Sequence, residues 1–172
     1  ALLLASQKAD VIITSGGVSV GKADFMKEVL SEIGKILFWK LAIKPGRPLA
    51  YGSINEAHYF GLPGNPVSAM VTFYQMVQPA IRLLMGEQGY TPPPKFKAKC
   101  TTTITKKPGR MEFQRAILTH DQDNLAVTPT RSQGSGILSS MSEANCFIIL
   151  EMQHKTVEPG DLVDVQYMEG IV

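Results

Sequence analysis

The spacing of hydrophobic positions changes once along the chain, near residue 90, and the change divides the sequence in two. In the first part, Val11-Ile12-Ile13-Thr14 is a short continuous apolar run, the pattern of a strand in a sheet covered on both faces. Phe25, Met26, Val29, Leu30 and Ile33 recur at helical spacing, which predicts a helix with one buried face, and Gly34 reads as its stop. Ile36 to Ile43 is a second apolar strand. Strand, helix and strand within ~30 residues predict a right-handed βαβ unit. Leu49 to Ile54 and His58 to Leu62 predict neighbouring strands around a turn at Asn55-Glu56. From Val67 onward, Val71, Tyr74, Val77, Ile81 and Leu84 fall three or four apart. A helix of about 20 residues, ~30 Å long, is predicted there, with a bend near Pro79. Asn65 suits its N-cap and Pro66 its first position.

Gly86, Gly89 and Pro92-Pro93-Pro94 mark a stiff linker over residues 89–94. Beyond it the period becomes two: Phe96, Ala98 and Cys100 alternate with Lys97 and Lys99, and Thr101 to Thr105 continues that strand. Glu112 to Leu118, Leu125 to Pro129, Cys146 to Met152 and Leu162 to Tyr167 are further strands, separated by turns at Pro108-Gly109, Asp121 to Asn124 and Pro159-Gly160. The fold class read from this is α/β: a partial doubly wound, mostly parallel sheet over residues 1–88, then a small all-β barrel-like domain over 95–172. The chain opens Ala1-Leu2-Leu3-Leu4-Ala5, without a methionine and in what reads as a helix end, so a piece of a longer protein is expected.

Composition narrows the function classes. The 172 residues are 44% hydrophobic and 19% charged with a formal net charge of +2, which gives no broad electrostatic case for nucleic acid. Residues 95–119 hold seven Lys or Arg against one acid, Glu112, and read as a solvated strand edge. The apolar run Val67 to Met85 is interrupted by Gln75, Gln78, Pro79 and Arg82, so a buried helix is expected and no membrane span. Cys100 and Cys146 are too few for a disulfide scaffold and read as reduced, partly buried thiols, compatible with a cytoplasmic setting. His58, His120 and His154 lack metal-ligand spacing.

The chemistry concentrates in two loops that each end a strand and open a helix. Ser15-Gly16-Gly17-Val18-Ser19-Val20-Gly21-Lys22-Ala23-Asp24 is glycine-rich, and such a loop can seat an anion on exposed backbone amides. Its glycine spacing fits neither the dinucleotide fingerprint nor the nucleotide P-loop. Gly61-Leu62-Pro63-Gly64-Asn65-Pro66-Val67-Ser68 is the second. In a parallel sheet such loops share the carboxyl edge, where ligands bind. Asp24 is either a helix-dipole partner or a magnesium ligand that bridges to bound phosphate. Lys40 and Lys44 are four apart on the predicted strand, so they share a face and call for an anionic partner unless Lys40 lies at an exposed strand end. Arg47, in the stiff turn Lys44-Pro45-Gly46-Arg47-Pro48, adds a third cation.

These three motifs, in this order, resemble the molybdopterin molybdenumtransferases, the family of bacterial MoeA and the E domain of gephyrin. The resemblance continues through Phe113-Gln114-Arg115 and the loop from Ser132 to Ser140, and so covers the whole chain. It implies a Mog-like molybdopterin-binding α/β domain followed by a C-terminal β domain. It implies molybdenum cofactor biosynthesis: molybdate and adenylylated molybdopterin as substrates, Mg2+ as the required cation, AMP released. By matching positions, Ser15, Gly16, Gly17 and Ser19 would hold phosphate or pterin, and Asp24 would serve the metal or the hydrolytic step. Lys40, Lys44 and Arg47 would hold molybdate or phosphate. Pro63, Gly64, Asn65, Pro66 and Ser68 would line the pocket, with Arg115, Ser132 and Ser135 reaching in from the β domain. Lys22 stands where the family commonly has an acid, and Arg47 where many members have lysine or an uncharged residue. The family's first two domains and the start of the third are absent, so the chain alone is expected to give little turnover. The resemblance also implies a homodimer of the full-length protein and a possible partner adenylyltransferase. Rival readings are an adenylyltransferase of the Mog type, a gephyrin-like scaffold module, and a generic anion-binding α/β module.

Overall fold

The computed structural model describes residues 1–17, 23–87, 89–121 and 124–168, with the side chains of residues 23–25 and 121 outside that description. The chain divides into two units: Ala1–Leu41 with Gly46–Glu87, and Ala42–Pro45 with Gln88–Val172. In chain order, the elements before the linker are α1 (Leu2–Ala5), β1 (Val11–Ser15), α2 (Ala23–Ile33), β2 (Lys35–Lys40), β3 (Ile43–Lys44), β4 (Pro48–Ile54), β5 (Ala57–Leu62), α3 (Pro66–Thr72), a π-helical turn (Phe73–Val77) and α4 (Gln78–Leu84). After it come β6 (Phe96–Cys100), β7 (Met111–Asp121), β8 (Asn124–Pro129), α5 (Ser139–Glu143), β9 (Cys146–Leu150) and β10 (Leu162–Tyr167).

The first unit is a four-stranded sheet in the order β1-β5-β4-β2, with helices on both faces. β1 pairs parallel with β5, while β4 runs antiparallel to both β5 and β2, so three of the four strands point the same way. Period-two alternation sorts the core. Ile12, Ala50, Ile54, Ala57 and Tyr59 face α2 through Leu30, and Leu2 and Ala5 of α1 join them. Leu49, Phe60 and Leu62 face the other way, against Ala69, Phe73, Val77 and Ile81. Tyr59 is fully buried, and its hydroxyl meets the Thr14 hydroxyl at 2.8 Å, which accounts for a threonine in an apolar strand. Burial pushes the Tyr59 phenol pKa up, and the Thr14 hydrogen bond offsets part of the rise.

The βαβ pattern is present in outline, with β1 and β2 parallel, but the β4–β5 hairpin lies between them and puts them at opposite edges. Gly34 does end α2, for a different reason than a left-handed cap. A Cβ there would run into the carbonyl oxygen of Ser53, so the glycine permits close approach of the chain to β4. Where a bend is predicted near Pro79, the helical run passes through a π turn over Phe73–Val77. The Gln78 amide bonds the Phe73 carbonyl five residues back, and Pro79 then enters the first turn of α4.

The predicted strand Ile36 to Ile43 is two strands in two units. β2 ends at Lys40, the Leu41 amide bonds the Arg47 carbonyl at 2.9 Å, and the intervening Ala42–Pro45 belongs to the second unit. There β3 pairs parallel with β7, Ile43 opposite Met111 and Lys44 opposite Glu112. Lys40 and Lys44 therefore share neither a strand nor a face.

In the second unit β7, β8, β6, β10 and β9 pair in that order and β9 pairs back to β7, closing a five-stranded barrel with β3 alongside β7. Ala98, Cys100, Ala116, Leu118, Val127, Ile148, Val163 and Val165 fill its interior. Both thiols are fully buried, more than the sequence led one to expect, and burial pushes Cys146 up to about 12, so it stays a thiol near neutral pH. Thr101 to Thr105 does not extend β6, although Ile104 still bridges Val157. The basic stretch 95–119 is only partly a solvated edge. Lys97 pairs with Asp164 on β10 at 2.9 Å, but Lys106 and Arg115 are buried. The Lys106 ammonium donates to the carbonyls of Lys107, Met152 and His154 at 3.2–3.3 Å.

Candidate functional site

The parallel pairing of β1 with β5 runs to Ser15 opposite Leu62, so both strands leave the sheet at the same edge. The two loops then touch. The Gly16 amide donates to the Leu62 carbonyl at 3.0 Å, and the Ser15 hydroxyl to the Pro63 carbonyl at 3.3 Å. A Cβ added to Gly64 would lie 3.3 Å from the Gly16 Cα, so the two backbones approach as closely as glycine allows. Gly16 and Gly17 have φ of 87° and 77°, the left-handed region that suits glycine. The amides of Gly17, Gly64 and Asn65 donate to no other described residue. Backbone amides without described partners on two adjoining loops have the chemistry to accept an anion.

Asn65 caps α3: its backbone is extended, and its side-chain oxygen accepts from the Ser68 amide at 3.5 Å, with Pro66 following at the first position. Ser68 is buried in that first turn. Asn65→Ala is expected to cost about 1 kcal/mol in urea denaturation, the usual worth of such a cap. A loss near zero would mean that the long bond contributes nothing.

The other predicted site residues are distributed as follows. Ser15, Gly16, Gly17, Pro63, Gly64, Asn65, Pro66 and Ser68 come together on the shared edge. Ser19 lies outside the described residues, as does the Asp24 side chain, although Asp24 itself is in the first turn of α2. Lys40 is the exposed last residue of β2, and Arg47 is exposed with no ion pair among the described residues. Lys44 belongs to the barrel unit. Its ammonium lies 3.3 Å from both carboxylate oxygens of Glu112, which is 4% exposed and also accepts from Gln114 at 3.1 Å. The anionic partner expected for Lys44 is thus a carboxylate of this chain.

Arg115 is 1% exposed and has no carboxylate partner among the described residues. Its Nε donates to the Ser140 hydroxyl at 3.1 Å, and its Nη2 to the carbonyls of Ser132 and Gly134 at 3.2 and 3.3 Å. Burial lowers its pKa. Gln133 closes the arrangement by exchanging hydrogen bonds with the Arg115 backbone at 3.0 and 2.8 Å. The guanidinium therefore fixes the 132–134 loop, while Ser135 stands exposed beyond it. Glu112, Gln114, Gln133 and Ser140 were given no site role from the sequence, although Gln114 and the Ser132 to Ser140 loop carried part of the resemblance. The available signal was Glu112 as the lone acid of a basic stretch, in register with Gln114 on the inward face of β7.

Among the described residues no three His, Cys, Asp or Glu side chains are grouped to hold a metal ion, and no helix is long and apolar enough to cross a membrane.

A family model described as "Probable molybdopterin binding domain" matches residues 1–83, and one described as "MoeA C-terminal region (domain IV)" matches residues 97–168. The chain is 47% identical over 167 residues to a molybdopterin molybdenumtransferase of Haemophilus influenzae, covering 96% of this chain and 41% of that protein. It is 36% identical over 185 residues to gephyrin of Dictyostelium discoideum, covering 94% and 26% respectively. The molybdopterin biosynthesis MoeA protein of Pyrococcus horikosii superposes with a TM-score of 0.79 at 28% identity, over 98% of this chain and 40% of that one. The chain thus spans about two-fifths of the length of the bacterial and archaeal relatives.

Proposed function

Since the chain belongs to the MoeA family of molybdopterin molybdenumtransferases, we propose that it carries part of the site at which the complete protein inserts molybdate into adenylylated molybdopterin and releases AMP. The observation that carries the reading is the meeting of Gly16 with Gly64 at one sheet edge. That meeting leaves the Gly17, Gly64 and Asn65 amides free of described partners, and these amides would bind the phosphate of the pterin substrate. A backbone seat of this kind neutralises charge without a titrating group, so its grip on phosphate does not depend on pH near neutrality. Ser15 and Asn65 hold the seat's shape, the first by tying the loops together and the second by capping α3. Ser19, Pro63, Pro66 and Ser68 complete the lining in this proposal, with Arg47 and Lys40 supplying positive charge for molybdate. Lys44, already shared with Glu112, would act as a cation of reduced net charge. Arg115 would act through the loop it holds, presenting Ser132 and Ser135.

Mg2+ belongs to the proposal with Asp24 as its protein ligand. The described residues assemble no cluster of three His, Cys, Asp or Glu side chains beside it. A homodimer, a partner adenylyltransferase and a cytoplasmic setting are further parts of the same reading. The barrel unit, with its domain IV match, favours insertion over adenylylation alone.

The test is reconstitution with the complete protein, adenylylated molybdopterin, molybdate and Mg2+. AMP release and active cofactor are expected. Asp24→Asn should slow insertion on the order of a hundredfold with the fold retained, as loss of a metal's charge stabilisation would. Full activity in that variant would leave Asp24 a helix-dipole partner only. No AMP release by the unaltered protein would overturn the assignment.

A further inference from the structure

A cleft of about 390 Å3 lies on the sheet unit, at the ends of β1 and β5 away from the two loops. Val11 of β1 and His58 of β5 line it from the sheet, and Ile81, Leu84 and Met85 line it from the end of α4. Leu84 is 48% exposed and Met85 74%, so this apolar wall stands open to solvent. The two remaining lining residues are acids, and each immediately precedes a strand, Asp10 before β1 and Glu56 before β5. The His58 amide donates to the Asp10 carbonyl at 2.8 Å, which holds the two strand starts side by side. Neither carboxylate has a hydrogen bond or an ion pair with another described residue, and no lysine or arginine lines the cleft. The His58 ring is held in place: its Nδ1 lies 3.2 Å from the Tyr51 hydroxyl, and the Tyr51 ring stacks on it at 6.3 Å.

We propose that this apolar cleft docks an arginine side chain, flanked by apolar residues, from a segment of a partner protein. Charge complementarity selects that occupant. An uncharged apolar segment would take Asp10 and Glu56 out of water with no partner, which is costly. A metal ion needs a ligand group that the described residues do not assemble. A guanidinium gives the carboxylates charge-assisted partners through its fork of donors, while its methylene stem lies along Leu84 and Met85. Leu83, 58% exposed on the same last turn of α4, extends the apolar surface to residues beside the arginine, which a free guanidine would leave bare. Arginine set among apolar contacts is also a common anchor of protein interfaces. The inference goes beyond the function proposed above and shares no residue with it, and the same carboxylates repel the anionic substrates of that function.

The test is amide NMR of the whole chain titrated with the peptide acetyl-Leu-Arg-Leu-amide. Separate arms use the same peptide with neutral citrulline for arginine, acetyl-Gly-Arg-Gly-amide, and butylguanidinium. The first peptide should shift the amides of residues 10, 11, 56–58 and 81–85 saturably, and each of the other three should bind more weakly. Asp10→Asn and Glu56→Gln, both at exposed positions, should each raise the peptide dissociation constant about threefold, the modest worth of an exposed ion pair, and about tenfold together. Shifts absent from those amides, or an affinity unchanged by citrulline or by the double variant, overturn the site. Equal affinity for butylguanidinium or for the glycine-flanked peptide overturns the apolar-flanked segment. Shifts at the same amides on concentrating the chain alone overturn the partner in favour of a second copy. The complete protein should bind the peptide equally well, and loss of binding there gives the cleft to another segment of that protein and overturns the partner. The amides of Gly17 and Gly64 report on the loop site in the same spectra, so either site can fail alone.

Discussion

Arg115→Met is expected to destabilise the barrel unit by about 3 kcal/mol, read from urea denaturation followed by a barrel probe. The side chain donates to the Ser140 hydroxyl and to the Ser132 and Gly134 carbonyls, and it is 1% exposed. Removing the donor strands three acceptors, each worth about 1–3 kcal/mol if it stays dry. The loop around Gly134 is exposed enough for water to recover part of that loss. Methionine fills most of the volume, so a cavity adds little and the measured loss reports the hydrogen bonds. Arg115→Lys should recover less than half, because one ammonium cannot reach three acceptors that lie in the plane of a guanidinium. A loss under about 1 kcal/mol would mean that the loop holds its shape without the arginine.

Gly64→Val is expected to weaken pterin binding by on the order of a hundredfold while costing only about 1–3 kcal/mol of stability. A single Cβ at Gly64 already falls 3.3 Å from the Gly16 Cα, which is backbone and cannot rotate away. The branched side chain must push the two strand exits apart, and the amide seat widens with them. Gly64 is the better position to test than Gly16. Gly16 has φ of 87°, so a substitution there mixes backbone strain with lost contact, whereas Gly64 is not among the positive-φ glycines. The effect at Gly64 is therefore steric alone. Unfolding midpoint and dissociation constant, measured on the same variant, separate damage to the seat from damage to the sheet.

Local signals carried much of this fold. Period-two alternation from Phe96 to Cys100 already marked Ala98 and Cys100 as one face, the barrel interior, and Leu162 to Tyr167 was legible as a strand. The Asn65-Pro66 pair placed the start of α3 to the residue. Adjacency of the two loops was also readable, because each ends a strand and opens a helix, and such loops share the carboxyl edge of a parallel sheet. Pairing partners were not readable. Nothing in the largely apolar run Ile36 to Ile43 shows that it breaks at Leu41 and that Ile43 crosses to Met111 in the other unit. That one break undid the shared face of Lys40 and Lys44 and supplied Glu112 instead. Arg115 and Lys106 look like solvated cations by composition. Their burial follows from the 132–134 loop over Arg115 and, over Lys106, from the carbonyls of Met152 and His154 together with that of neighbouring Lys107. Charge in sequence thus marked where polar networks lie without saying whether they face water or the interior.

In the function proposed above, phosphate binds where β1 and β5 leave the sheet together. Amide NMR of the chain titrated with molybdopterin tests it most directly. Saturable shifts are expected at Gly16, Gly17, Gly64 and Asn65, abolished by Gly64→Val. Shifts that fall instead at Asp10, Glu56 and His58, the opposite ends of the same two strands, would contradict it.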